Sequence, residues 1–181
     1  MKPKERVMRW LDEAIIGLDL CPFAAKARRH GGVRIAVFEA LDPIHAVHAT
    51  LEEAQALLQL KDASVQTTLV TLSEGLEDFE TYLDVVATVE DALIEGGAEG
   101  MLQVATFHPN YTFEGEDPEG ISHFTNRAPY PILHLLREDD VSEAVDRHPD
   151  PHNIPTANIA KLQSLGTKKV RELWRCWSAM D

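Results

Sequence analysis

Val7, Trp10, Leu11, Ala14, Ile15 and Leu18 recur at intervals of three and four residues, the spacing that puts side chains on one stripe of an α-helix. The pattern predicts a first helix over residues 4–18. It stops at "LDLCP" (18–22), because the residue before a proline disfavours helical angles. "VRIAVFEA" (33–40) reads as a strand between Gly31-Gly32 and Asp42-Pro43. Asp42 suits an N-cap and Pro43 a first helical position, so a helix is expected from there to about Leu60. "VQTTLVTLSE" (65–74) is a β-branched strand. A long helix follows with Phe79, Leu83, Val86, Val89 and Leu93 as its expected inner face, ended by Gly96-Gly97.

"GMLQVATFHP" (100–109) is the third strand, and helices between the first three strands suggest βαβ-type crossovers. Residues 108–131 then hold four prolines and two glycines, which predicts a long structured loop. "PILHLLRE" (131–138) is a fourth strand, "DVSEAVDR" (140–147) a short helix, and "HPDPHNIP" (148–155) a second proline-rich loop. Two helices close the chain at 155–165 and 167–179, hinged at Gly166; the second carries an apolar edge of Val170, Leu173, Trp174 and Trp177. The expected fold class is α/β, with α+β as the alternative: a single domain over residues 1–181, with a three- or four-stranded sheet packed with helices. No repeat or low-complexity segment interrupts it.

Charge narrows the function classes. The chain of 181 residues carries a net charge of −13. That balance argues against nucleic acid or an anionic membrane as partner, because phosphate contacts need clustered Lys and Arg. Two short basic clusters, "KARR" (26–29) and "TKKVRELWR" (167–175), are solvated helix faces or seats for a small anion. Charges interrupt the first 18 residues, so they do not read as a signal peptide. The two cysteines, Cys21 and Cys176, suit a reducing cytosol, and a cytoplasmic location is expected.

Candidate chemistry concentrates in the second half. Five of the eight histidines (His108, His123, His134, His148 and His152) and seven of the ten prolines fall between residues 108 and 155. Rigid irregular backbone carrying imidazoles is more characteristic of a site than of a core. In "VATFHPNYTFEGEDPEGISHFTNRAPYP", His108 ends a strand. In a parallel sheet that end is where α/β folds build sites. Asn110 and Tyr111 supply polar groups, His123 is placed to return beside His108, and Asn126 and Arg127 follow. The fork of Arg127 suits a carboxylate or phosphate. His134, in "ILHLL", reads instead as a core histidine with a backbone partner, His148 and His152 as turn residues, and "EGEDPEG" (114–120) as a solvated acidic loop. The acidic loop lacks calcium-loop spacing, and the His108–His123 pair lacks zinc spacing.

If a new helix begins at Pro22, Cys21 is its N-cap and meets the positive end of the helix dipole, which lowers a thiol pKa. The alternative is a buried plug after the first helix. Cys176 reads as inert packing. No phosphate loop, GxGxxG, GxSxG or CxxC occurs.

The segments "GLDLCPFA", "FHPNYTF" and "SHFTNRAPYPILHLLRE" resemble an uncharacterised family of short bacterial proteins known only as a domain of unknown function. The resemblance covers nearly the whole chain. Its motif segments include Cys21, Pro22, His108, Pro109, Asn110, His123, Asn126 and Arg127, and it implies no activity.

Three functional readings follow. In the first, the protein is a cytosolic enzyme: Cys21 is nucleophile or redox thiolate, His108 or His123 the general base, Asn126 its orienting group, and Arg127, with Asn110 and Tyr111, binds a small anionic substrate. In the second, Cys21, His108 and His123 are ligands to zinc, iron or haem. In the third, a non-catalytic interaction domain binds a partner through its acidic surface and the Trp174/Trp177 edge.

Overall fold

The computed structural model describes residues 1–39, 42–60 and 64–178. Helix α1 (Pro3–Trp10) runs directly into a π-helical segment (Leu11–Ile16), and α2 (Ala24–Arg29) follows a turn. Strand β1 (Val33–Phe38), α3 (Pro43–Gln59), β2 (Thr67–Leu72), α4 (Phe79–Glu95) and β3 (Leu102–Phe107) come next. A loop with a 3-10 turn (Ile121–Thr125) leads to β4 (Ile132–Arg137), α5 (Glu138–Arg147), a second 3-10 turn (Pro151–Asn153), α6 (Ile154–Leu165) and α7 (Thr167–Trp177). The expected ends of β1 at Ala40 and of the last helix at residue 179 lie outside the described residues.

The fold is a mixed α/β arrangement with a four-stranded sheet in the order β1-β2-β4-β3. β1 and β2 are parallel, while β4 is antiparallel to both of its neighbours. β3 therefore runs in the same direction as β1 and β2. The crossover β1-α3-β2 joins adjacent strands, as the alternation of elements implies. The crossover β2-α4-β3 leaves a gap of one strand, which β4 fills. β4 suits that central place because it is apolar on both faces: Ile132, Leu133 and Leu135 are fully buried.

Two cores result. On one face α3 and α4 cover Val70, Leu72, Leu102, Leu133 and Leu135. On the other, α1, the π segment, α6, α7 and the long loop cover Ile35, Leu69 and Ile132. Asp42 and Asp78 cap α3 and α4 by accepting from His45 N and Thr81 N. The inner face of α4 is rotated from the expected one. Tyr82, Val85, Val86, Val89 and Leu93 are buried, whereas Leu83 is exposed, because the Tyr82 hydroxyl donates to Ile132 O at 2.7 Å and fixes the helix on the sheet.

Candidate functional site

Phe38, Leu72 and Phe107 close β1, β2 and β3 at the same end of the sheet, and the 108–131 loop lies there. The two histidines of this loop hold it together. His108 is fully buried; its Nε2 lies 3.0 Å from Leu76 O, and its Nδ1 accepts from Asn110 N at 3.0 Å. Nδ1 accepts, so the neutral ring carries its proton on Nε2 and donates it to Leu76. Burial holds the His108 pKa below its ordinary value, against the opposing pull of the Leu76 carbonyl and of Asp78 and Glu77.

His123 repeats the arrangement. It is fully buried, Nδ1 accepts from Phe113 N at 3.1 Å, and Nε2 faces Asp117 O at 2.7 Å. Gly120 sits in the turn that presents this carbonyl, where an added Cβ would lie 2.8 Å from Asp117 O. Both imidazoles thus have both nitrogens engaged by backbone. The expectation of two free bases or ligands in the loop meets instead two structural cross-links. Asn126 acts likewise: Nδ2 donates to Thr106 O at 3.1 Å, and Oδ1 accepts from the Thr125 hydroxyl at 3.0 Å. Tyr111 packs its ring between Phe79 and Phe113, and its hydroxyl meets Thr106 Oγ1 at 3.3 Å.

Cys21 is not a helix cap. Residues 22–23 form a turn, and α2 begins at Ala24, whose N–H bonds the Cys21 carbonyl at 3.2 Å. The side chain packs against the core beside α1. Burial pushes its thiol pKa up, in excess of what the N–H groups of Phe23 and Ala24 recover. The direction is opposite to that expected from a cap. Among the described residues no hydrogen bond or ring contact joins Cys21 to His108 or His123. Nor do three or more His, Cys, Asp or Glu side chains gather in a metal-binding arrangement among the described residues. His134 finds a side-chain partner rather than the expected backbone one, the Thr67 hydroxyl at 2.5 Å across β2 and β4.

Arg127 leads to a different site. Its Nε donates to Tyr111 O at 3.2 Å, and its guanidinium carbon lies 4.4 Å above the Phe124 ring. Its terminal nitrogens make no hydrogen bond among the described residues. Arg127 lines a cleft of about 260 Å³ between the 109–129 loop and α7. The same cleft is lined by Asn110, Glu119, Arg171, Trp174, Arg175 and Trp177, with Pro109, Pro118 and Pro129 along its rim.

The local sequence explains this wall. Val170, Trp174 and Trp177 bury the inner stripe of α7, which leaves Arg171 and Arg175, one turn apart, along its flank. The three tryptophans of the chain anchor the corner. Trp10 and Trp174 both donate to the Arg127 carbonyl, at 3.1 and 3.0 Å, filling both of its lone pairs. Trp177 donates to Glu13 Oε2 at 2.7 Å, from the π segment.

Electrostatically the cleft is incomplete. Burial works against the charge of Arg127, and so does the nearby Arg171; Glu119 favours it. Arg171 pairs with Glu119, but its Nε is buried without a hydrogen-bond partner among the described residues. Arg175 has no ion-pair partner there either. Sequence reasoning identified Arg127 and Asn110 but not their union with Arg171 and Arg175. The available signal was the run "TKKVRELWR", whose arginines and tryptophans share one helix.

A mixed α/β protein with an arginine- and tryptophan-lined cleft is thus what the coordinates define. The chain matches the family described as "Protein of unknown function (DUF1415)" over residues 2–172, and it belongs to that family. No curated protein and no solved structure matches it. Among the described residues no helix is long and apolar enough to cross a membrane.

Proposed function

We propose that the protein binds a small organic anion in the cleft between the 109–129 loop and α7. One observation carries this reading: Arg127 is half-buried beside a second guanidinium, Arg171, with terminal nitrogens that no protein group satisfies among the described residues. Clustered cations of this kind are costly without a counter-charge. An anion accepting from Arg127, Arg171 and Arg175 supplies it through charge-assisted hydrogen bonds. The prolines at the rim offer apolar surface to the body of the ligand. A cytoplasmic setting is supported by two free cysteines.

Among the described residues lining the cleft, Glu119 is the one carboxylate and none is a cysteine or histidine. The geometry therefore supports binding more directly than thiol catalysis. The test is calorimetric titration with benzoate and phenyl phosphate. Saturable binding, weakened severalfold in Arg175→Gln with an unchanged circular-dichroism spectrum, is expected. Absence of binding by both probes, or binding that Arg175→Gln leaves intact, would overturn the proposal.

A further inference from the structure

We infer that the ligand is a phosphate monoester in its dianionic form, carried on an organic body, and that Glu119 is the resident counter-ion it displaces. This rests on the cleft being an anion site. Among the described residues the cleft wall holds three guanidiniums and one carboxylate, in a protein of net charge −13. Once Glu119 is displaced all three guanidiniums face the ligand, and a dianion compensates more of that charge than a monoanion does. The cations also come from two directions, Arg127 from the loop and Arg171 with Arg175 from α7. One planar carboxylate is satisfied by a single bidentate guanidinium, whereas a phosphoryl group offers three oxygens around a tetrahedron. Pro109, Pro118 and Pro129 line the rim beside them, apolar surface against which an organic body packs.

Glu119 is held for release rather than buried. Its side chain is 76% exposed, its only ion-pair partner among the described residues is Arg171, and it sits in the turn Asp117–Gly120 at the cleft rim. An exposed pair of this kind contributes little, so an incoming phosphate can take Arg171 from it at small cost. Among the described residues nearby, Glu13 is engaged by Trp177 and Arg9, and Arg6 donates to the Ser178 carbonyl.

The experiment titrates the full chain with three probes, phenyl phosphate, its monoanionic diester methyl phenyl phosphate, and inorganic phosphate, in the wild type and in Glu119→Gln. Phenyl phosphate is expected to bind about fivefold or more tightly than the diester, for one additional charge in a solvent-accessible cleft. It is also expected to bind more tightly than inorganic phosphate, which lacks the organic body. Glu119→Gln is expected to tighten phenyl phosphate by roughly two- to fivefold, the release of one exposed ion pair, with no loss of thermal stability. Equal affinity for monoester and diester, both reduced by Arg175→Gln, would overturn the dianion inference and leave the anion cleft standing. Unchanged or weakened phenyl phosphate binding in Glu119→Gln would overturn the counter-ion role. Failure of all three probes, with benzoate silent as well, would overturn the cleft reading itself.

Discussion

Replacing His108 by alanine should destabilise the protein rather than merely silence a reaction. The ring is fully buried and makes two hydrogen bonds of 3.0 Å, to Leu76 O and from Asn110 N. It also contacts Phe79 and Tyr82, with ring centroids at 5.1 and 5.0 Å. Truncation orphans a carbonyl and an N–H, each worth about 1–3 kcal/mol when left buried without a partner. Asn110 lies at the cleft, so water can reach its N–H and that share falls to the low end. The emptied ring volume adds about 2 kcal/mol or more. These contributions overlap, and a total of about 4 kcal/mol is expected for His108→Ala, a large part of the ~5–15 kcal/mol available to a domain. His108→Leu refills much of the volume and isolates the polar share, at about 2 kcal/mol. Urea unfolding reads both values from the shift in midpoint at constant slope. A His108→Ala midpoint equal to that of the wild type would refute the reasoning and return the imidazole to the list of groups free for chemistry.

Three further outcomes follow from buried groups. Burial pushes His134 down to about 4 and holds His108 below its ordinary value. The unfolded chain therefore binds more protons than the native one below about pH 6.5, so stability is full above that pH and falls as pH drops toward 4, by up to roughly 3 kcal/mol for His134 alone. Urea midpoints at pH 7 and pH 5 should show this loss, and His134→Leu should reduce it; a flat profile would contradict the assignment. Thr71 is fully buried with no partner for its hydroxyl among the described residues, so Thr71→Val should stabilise by about 1 kcal/mol in the same assay; a destabilised variant would show that the hydroxyl is satisfied. Cys21 should alkylate with iodoacetamide more slowly than the exposed Cys176, with its half-titration above the ordinary thiol value. Faster labelling of Cys21 at pH 7, read by peptide mass spectrometry, would restore the thiolate reading.

Much of the scaffold was legible because local rules and tertiary packing agree. The β-branched run around Thr67–Leu72 is a strand in every context the fold offers, and Asp42 before Pro43 caps a helix as its chemistry dictates. The insertion of β4 between β2 and β3 was not legible, since strand order depends on pairing between distant segments. The histidines drew attention by their density in a proline-rich stretch. Their partners, however, are backbone atoms of Leu76, Asn110, Phe113 and Asp117, which no residue type advertises. Cys21 misled for a local reason: Pro22 can open a helix, but here it opens a turn, and α2 starts too late to use the cysteine as its cap. Of the candidate site residues, Arg127 and Asn110 line the cleft. The other two guanidiniums lie on α7, distant in sequence and joined to the loop by the Arg171–Glu119 pair and by Trp174, which donates to the Arg127 carbonyl.

Those tryptophans provide the most direct measurement. With three in the chain, a nitrogen–proton correlation spectrum should show three indole signals, assignable by Trp→Phe substitution. Trp174 and Trp177 line the cleft, whereas Trp10 reaches only the back of the Arg127 carbonyl. Titration with phenyl phosphate should move the Trp174 and Trp177 signals saturably, move Trp10 less, and lose its effect in Arg175→Gln. Indole signals that stay fixed to millimolar probe, or a shift confined to Trp10, would contradict an anion site at this cleft.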